Sequence, residues 1–155
     1  MTRAAVLTVS TTISAGAGED VSGPALVARC EQAGLEVRHE VVPDDREAIG
    51  EAIARLADRE GMRFVFTTGG TGMTPDDVTP EATLDVLDRL APGYAESIRA
   101  DSRQHTPLGI LTRGVSGVRG RTLIVNFPGS PRAIEQSWPI VEPTLKHAAE
   151  TLERD

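Results

Sequence analysis

The residues best suited to chemistry lie in the segment TTGGTGMTPDDVTPEAT, residues 67–83. Its three glycines let a backbone approach a ligand closely, and the segment runs from an apolar stretch into a helix start, where free amides favour anions. No Gly-Lys-Ser/Thr follows, so it is not a Walker A loop, and its glycine spacing is not that of a dinucleotide fingerprint. The segment therefore indicates either a phosphate-binding loop or a plain tight turn.

Two adjacent carboxylates lie in this loop. Asp76 and Asp77 follow the glycines, and a carboxylate beside a phosphate is repelled unless a divalent cation, most naturally Mg²⁺, lies between them. The alternative is that they only decorate the loop or favour the dipole of the next helix. For Asp44, a purely structural role explains the residue without any ligand. Asp44 and Glu47 fit the capping box of a helix predicted over residues 44–60.

A second segment, NFPGSPRA at residues 126–133, repeats the order of strand end, tight turn and helix start. Ser130 is its predicted N-cap and Pro131 its first helical residue, which places a second set of free amides near the first loop. Simple capping explains both residues without any ligand, but it gives no reason for Arg132.

Strands and helices that alternate along the chain position these segments. Predicted strands cover residues 3–10, 35–42, 64–68, 107–112 and 121–127, with RGVSGVRG as a hairpin or longer turn between the last two. Predicted helices have Ser22, Asp44, Thr79 and Ser130 as N-caps, and another follows Pro92. This order indicates an α/β fold with a mainly parallel, twisted sheet, whose ligands gather at the C-terminal strand ends.

Composition excludes several classes of protein. The net charge is −7 and the arginines are scattered, which argues against a nucleic-acid partner. Cys30 is the only cysteine, so neither an intramolecular disulfide nor a CxxC site can form, and the three histidines share no metal-ligand spacing. Without a signal peptide or a membrane-length apolar run, we expect one cytoplasmic domain over residues 1–155.

The two loop segments belong to an ordered set of motifs. Together with LTVS, EDVSGPAL, VVPDD, APGYAESIR and ILTRGVSGVRGRTLIVNFPGSP, they resemble the MogA/MoaB-like family of molybdenum cofactor biosynthesis, which includes the molybdopterin adenylyltransferases. The resemblance covers residues 5–138. It implies a three-layer αβα sandwich that forms a homotrimer or a dimer of trimers. It also implies Mg²⁺-dependent transfer of AMP from ATP to the phosphate of molybdopterin, with a molybdenum-insertion protein downstream.

The resemblance also assigns site residues. Asp44 and Asp77 take the catalytic and metal-binding positions. The expected binding positions for substrate and phosphate are Ser10, Asp20, Ser22, Thr68, Gly69, Gly70, Thr71, Gly72, Pro128, Gly129 and Ser130. The first loop, STTISAGAG, lacks the Asp that many members carry after its serines.

Two alternatives stay open at this point. One is a family member that binds molybdopterin with little or no transferase activity, and the divergent first loop leaves room for it. The other is a competence-damage-type pyrophosphatase, a class that usually carries further domains.

Overall fold

The computed structural model describes residues 1–155 and is built around one six-stranded sheet. The strands are β1 (Arg3–Val9), β2 (Glu36–Val42), β3 (Phe64–Thr68), β4 (Arg89–Leu90), β5 (Ser116–Arg119) and β6 (Thr122–Phe127). Their order across the sheet is β2-β1-β3-β6-β5-β4. Strands β2, β1, β3 and β6 are parallel, whereas β5 is antiparallel to both of its neighbours.

Helices cover both faces of this sheet. They are α1 (Thr11–Ser14), α2 (Ser22–Gln32), α3 (Arg46–Asp58), α4 (Thr79–Val86), α5 (Gly93–His105), α6 (Pro131–Val141) and α7 (Leu145–Leu152), with 3₁₀ turns at Pro107–Leu111 and Glu142–Thr144. None of these helices is both long enough and apolar enough to cross a bilayer.

The hydrophobic core has two halves, one on each face of the sheet. Side chains alternate along a strand, so Phe64 and Phe66 face α2, α5, α6 and α7, while Val65 faces α3 and α4. An apolar stripe of α3, which includes Ile49 and Ile53, is fully buried in the second half. The predicted three-layer αβα sandwich is therefore confirmed.

Aromatic side chains fix α6 on the sheet. Phe66 lies edge-on to both Phe127 and Trp138, with ring centroids 5.5 and 5.9 Å apart. Such aromatic pairs contribute about 0.5–1.5 kcal/mol beyond the area that they bury. Trp138 is 2% exposed, so its ring packs inside the core of one chain. This packing holds the helix whose first residues carry the second loop segment.

Two local predictions are wrong. Residues 107–112 form no strand, because Pro107 has a helical φ and lacks the N–H that a ladder requires, and Thr106 Oγ1 caps the resulting 3₁₀ turn through Leu108 N at 3.2 Å. Ser22 does not cap α2. Val21 occupies the N-cap position, and the amide of Gly23 donates instead to Asp20 Oδ1 at 2.9 Å.

The segment RGVSGVRG was predicted to be either a hairpin or a longer turn, and it forms a hairpin. Arg119 pairs with Thr122 across the turn, and Gly120 has a φ of +56°. A glycine in this left-handed conformation suits a tight connection between antiparallel strands.

Cys30 yields a test of the core. It lies on α2 with no exposed surface, and burial first and Glu31 second raise the pKa of its thiol to about 12. Because the thiolate is the reactive form, we expect a chromogenic aromatic disulfide reagent to leave the native protein unmodified at about pH 8. The matched control is Cys30→Ala with Ala28→Cys, since Ala28 is exposed on the same helix. Equal labelling rates for the two proteins would contradict the conclusion that the Cys30 thiol is buried.

Candidate functional site

The carboxyl ends of β1, β3 and β6 meet backbone to backbone. Gly69, directly after β3, has a φ of +99°, and a Cβ built on it would lie 2.4 Å from the carbonyl oxygen of Val9. A Cβ built on Gly129, after β6, would lie 3.1 Å from Gly69 Cα. Thr68 Oγ1 donates to Pro128 O at 2.8 Å. The structure thus brings both predicted phosphate loops together at one edge of the sheet.

Free backbone amides line this edge. The amides of residues 70–72 donate no hydrogen bond within the protein, while the carbonyls of Gly70 and Thr71 accept from Thr79 N at 3.1 Å and Arg113 N at 2.8 Å. The amides of Gly129 and the following residue also lack partners. Peptide groups whose carbonyls are fixed by hydrogen bonds and whose N–H groups are unpaired are suited to binding an anion.

Ser130 starts α6 as the sequence predicted. Its Oγ accepts from Ala133 N at 3.1 Å, and Pro131 is the first helical residue. The hydroxyl therefore has a capping role, and its predicted contribution to phosphate binding would come from the backbone amide.

Asp44 lies beside the glycine loop and does not cap a helix. Asp45 is the N-cap of α3, accepting from Ala48 N at 2.8 Å, so the predicted capping box is wrong. Asp44 does not cap the helix because its carboxylate binds Thr11 instead. The amide and hydroxyl of Thr11 donate to Asp44 Oδ2 at 2.9 and 3.1 Å. A Cβ built on Gly70 would lie 3.3 Å from Asp44 Oδ1, so the unbonded oxygen faces the loop.

Asp77 flanks the other end of the same loop. Its Oδ2 accepts from the amide and hydroxyl of Thr74 at 3.0 and 2.9 Å. The same oxygen lies 2.8 Å from the position that a Cβ on Gly72 would occupy. Oδ1 makes no hydrogen bond within the protein, and Asp76 is exposed. Of the two predicted loop carboxylates, Asp77 is thus the one in contact with the glycine loop.

Asp44 and Asp77 are therefore arranged alike, each with one oxygen held by a threonine and one oxygen free. No cluster of three or more potential metal ligands exists in the protein. Mg²⁺ is commonly bound by one or two carboxylates that share it with substrate phosphates and water. Two carboxylates are too few for a cage made of protein ligands alone, and their oxygens are of the type that Mg²⁺ shares with substrate phosphates.

Two of the predicted phosphate-binding threonines have buried side chains. Thr68 is fully buried with its hydroxyl bonded to Pro128, and Thr71 is 6% exposed. Thr79, the predicted N-cap of α4, is instead its first residue after Val78, and its hydroxyl donates to Gly69 O at 2.9 Å. The hydroxyls of Thr68 and Thr79 thus hold the loop in place.

The three predicted binding residues in and just after the first loop, Ser10, Asp20 and Ser22, differ in their contacts. Ser10 Oγ accepts from Ile13 N at 3.2 Å. Asp20 has a second oxygen, Oδ2, which lies 3.2 Å from His39 Nε2 and is otherwise without a partner. Ser22 is half-buried and forms no side-chain hydrogen bond. A role for these residues in substrate binding stays a prediction.

Two residues that shape the site were not singled out from the sequence. Asn126 is buried, and its Nδ2 donates to the hydroxyls of Thr67 and Thr83 at 3.0 and 3.1 Å, while Oδ1 accepts from Val115 N at 3.0 Å. Arg113 donates to the carbonyls of Gly72 and Asp77 and to the carboxylate of Glu81 on α4. The available signal for Asn126 was a polar residue within the predicted apolar strand of residues 121–127. Arg113 had no such signal.

Comparison with known proteins identifies the family. Residues 5–147 match the family model described as "Probable molybdopterin binding domain". The chain belongs to this family. It is 41% identical over 135 residues to the molybdopterin adenylyltransferase of Haemophilus influenzae, covering 85% of this chain and 68% of that protein. The predicted MogA/MoaB-like resemblance is thereby confirmed.

Other relatives show the same molybdopterin-binding domain in different settings. The fold matches that of the molybdopterin biosynthesis enzyme MoaB from Thermus thermophilus with a TM-score of 0.91 and 43% identity, covering 98% of this chain and 96% of that one. The chain is also 37% identical over 152 residues to the molybdenum cofactor synthesis protein cinnamon of Drosophila melanogaster, covering 97% of this chain. It spans only 25% of the length of that protein.

The close approach at Gly69 can be tested with a matched pair of substitutions. Gly16 also has a positive φ, of 76°, but a Cβ there would meet nothing within 4 Å. Gly16→Ala should cost about 1–2 kcal/mol of unfolding free energy, for the left-handed backbone alone. Gly69→Ala should cost about 1–3 kcal/mol more, because its Cβ would collide with the Val9 carbonyl. Denaturant titration measures both values, and equal losses would argue against a tight contact between the strand ends.

Proposed function

We propose that this molybdopterin-binding protein transfers AMP from ATP to the terminal phosphate of molybdopterin and releases pyrophosphate. The observation that carries the proposal is the placement of Asp44 and Asp77, which flank one glycine loop, each with a free carboxylate oxygen. The similarity to a molybdopterin adenylyltransferase supports the same chemistry.

Backbone amides would hold the phosphates of both substrates. The protein carries a net charge of −7, and the glycine loop and the turn at Gly129 and Ser130 offer unpaired N–H groups rather than lysines. Amide dipoles can hold an anion without a basic patch. We assign the pterin phosphate and the nucleotide phosphates to this shared edge.

The reaction requires charge control more than proton transfer. A phosphate monoester has a second pKa of about 6, so the attacking phosphate of molybdopterin is largely dianionic near neutral pH. Its oxygen would bond to the α-phosphorus of ATP as the bond from that phosphorus to the β-phosphate oxygen breaks. The main task of the protein is therefore to align two anions that repel each other.

Asp44 and Asp77 would hold Mg²⁺. When bound, Mg²⁺ would neutralise charge on the ATP phosphates and orient them. The hydrogen bonds from Thr11 and Thr74 restrict both carboxylates. The side chains of Asp44 and Asp77 would therefore lose little conformational freedom when their free oxygens bind Mg²⁺. This favours a fixed alignment of the substrate.

Asp77→Asn tests this assignment. An asparagine can keep its oxygen on Thr74 and replaces the free carboxylate oxygen by an uncharged NH₂ group. We expect the variant to fold and bind molybdopterin normally, with pyrophosphate release at saturating ATP and Mg²⁺ reduced by about a hundredfold or more.

The neighbouring Asp76→Asn is the control, since Asp76 is exposed and contacts no part of the loop edge. It removes the same charge and should keep most of the activity. Full activity of Asp77→Asn would rule out the assigned role. Tight molybdopterin binding without turnover by the parent protein would support the alternative of a binding protein.

We further propose that the protein is a homotrimer. Leu108, Ile110 and Leu111 project from the 3₁₀ turn with 68%, 62% and 45% of their surface exposed, a clustering of large apolar side chains that suits a subunit contact. Sedimentation velocity should give three times the 16.5 kDa mass of one chain, and Ile110→Glu should lower that mass. A monomer at all concentrations would contradict the proposal.

A further inference from the structure

Arg113 is bonded to both ends of the segment that carries Asp77. Its Nε donates to Gly72 O at 2.7 Å, one terminal nitrogen donates to Asp77 O at 2.8 Å, and the other lies 2.9 Å from a carboxylate oxygen of Glu81. The guanidinium is planar and its donors form a rigid fork. It therefore sets the separation of the three acceptors as well as binding each of them.

These bonds are the tertiary hydrogen bonds of this segment. Within residues 72–77 the remaining hydrogen bonds join Thr74 to Asp77. Such a local turn fixes its own shape but not its place relative to the rest of the site. Only the two carbonyl contacts of Arg113 tie the segment by hydrogen bonds to another part of the chain.

The backbone that carries Arg113 is itself firmly held. Arg113 N donates to Thr71 O at 2.8 Å. Arg99, on α5, donates to the carbonyls of Thr112 and Gly114, both at 3.1 Å. The residue on either side of Arg113 is thus bonded to a core helix, so its side chain can act as a fixed support.

We propose that Arg113 is a positioning residue that holds the Asp77 carboxylate in place through the loop backbone. The inference rests on the proposed function only for the role given to Asp77. Glu81 pairs with the guanidinium charge, and each of the three guanidinium nitrogens already has a protein partner. Arg113 therefore supports the loop and does not bind the substrate phosphates.

Arg113→Gln and Arg113→Lys test the inference, with Arg119→Gln as the matched control. Arg119 joins a carboxylate, Asp58, to a carbonyl, Val86 O at 2.8 Å, in the same way. Arg119 pairs with Thr122 at the opposite end of β6. Replacing it should therefore leave the structure of the site unchanged. Thermal melting verifies that each variant folds, and Arg113→Lys serves alone if Arg113→Gln does not fold.

The first readout, amide hydrogen exchange, does not depend on activity. With labelling times from milliseconds to seconds, exchange of Thr74 and Asp77 should be about tenfold faster in Arg113→Gln, intermediate in Arg113→Lys and unchanged in Arg119→Gln. Unchanged exchange in folded Arg113→Gln would overturn the proposal. If the parent protein shows no adenylyl transfer, the proposed function fails, but this measurement still decides the role of Arg113 in holding the loop.

The second readout separates positioning from substrate binding. In Arg113→Gln we expect kcat to fall by about tenfold to a hundredfold, because a small misplacement of a site group is costly, with molybdopterin affinity nearly unchanged. Arg113→Lys should recover part of the loss, since it can restore one of the carbonyl bonds. A loss of molybdopterin affinity at unchanged kcat would show direct substrate contact and overturn the proposal.

Discussion

The contact between the turns after β1, β3 and β6 is the constraint on which the site depends. The sheet order places these parallel strands next to each other, so their carboxyl ends share one edge. Glycine at positions 69 and 129 then lets the turns touch through their backbones. Any side chain there would separate the loops and increase the distance between the two sets of free amides.

The charged groups around this edge follow a common arrangement. Thr11 and Thr74 each hold one oxygen of an aspartate, although one pair joins residues far apart in sequence and the other lies within a single turn. The guanidinium that contacts the glycine loop, that of Arg113, is already paired with Glu81. Asp44 and Asp77 have no such ion-pair partner, so phosphates bound beside them would need a cation as well as amides.

The sequence predicted the layers of the fold better than the contacts within the site. Buried runs such as β3, and the Ser130-Pro131 helix start, have local signals that agree with their tertiary setting. The choice between Asp44 and Asp45 as N-cap has no such signal, because both are good caps and Thr11, 33 residues away, decides it. The contacts of Arg113 likewise depend on how distant segments pack, which no local pattern records.

The two edges of the sheet bear on how the protein avoids unwanted association. One edge is β2, whose exposed positions include Glu36, Arg38 and His39, and the other is β4, which is only two residues long. Charged and very short edge strands are poor templates for pairing with a strand of another molecule. The sheet is thus protected from edge-to-edge aggregation. The proposed contact between subunits would instead use apolar side chains outside the sheet, such as those of the 3₁₀ turn at Pro107–Leu111.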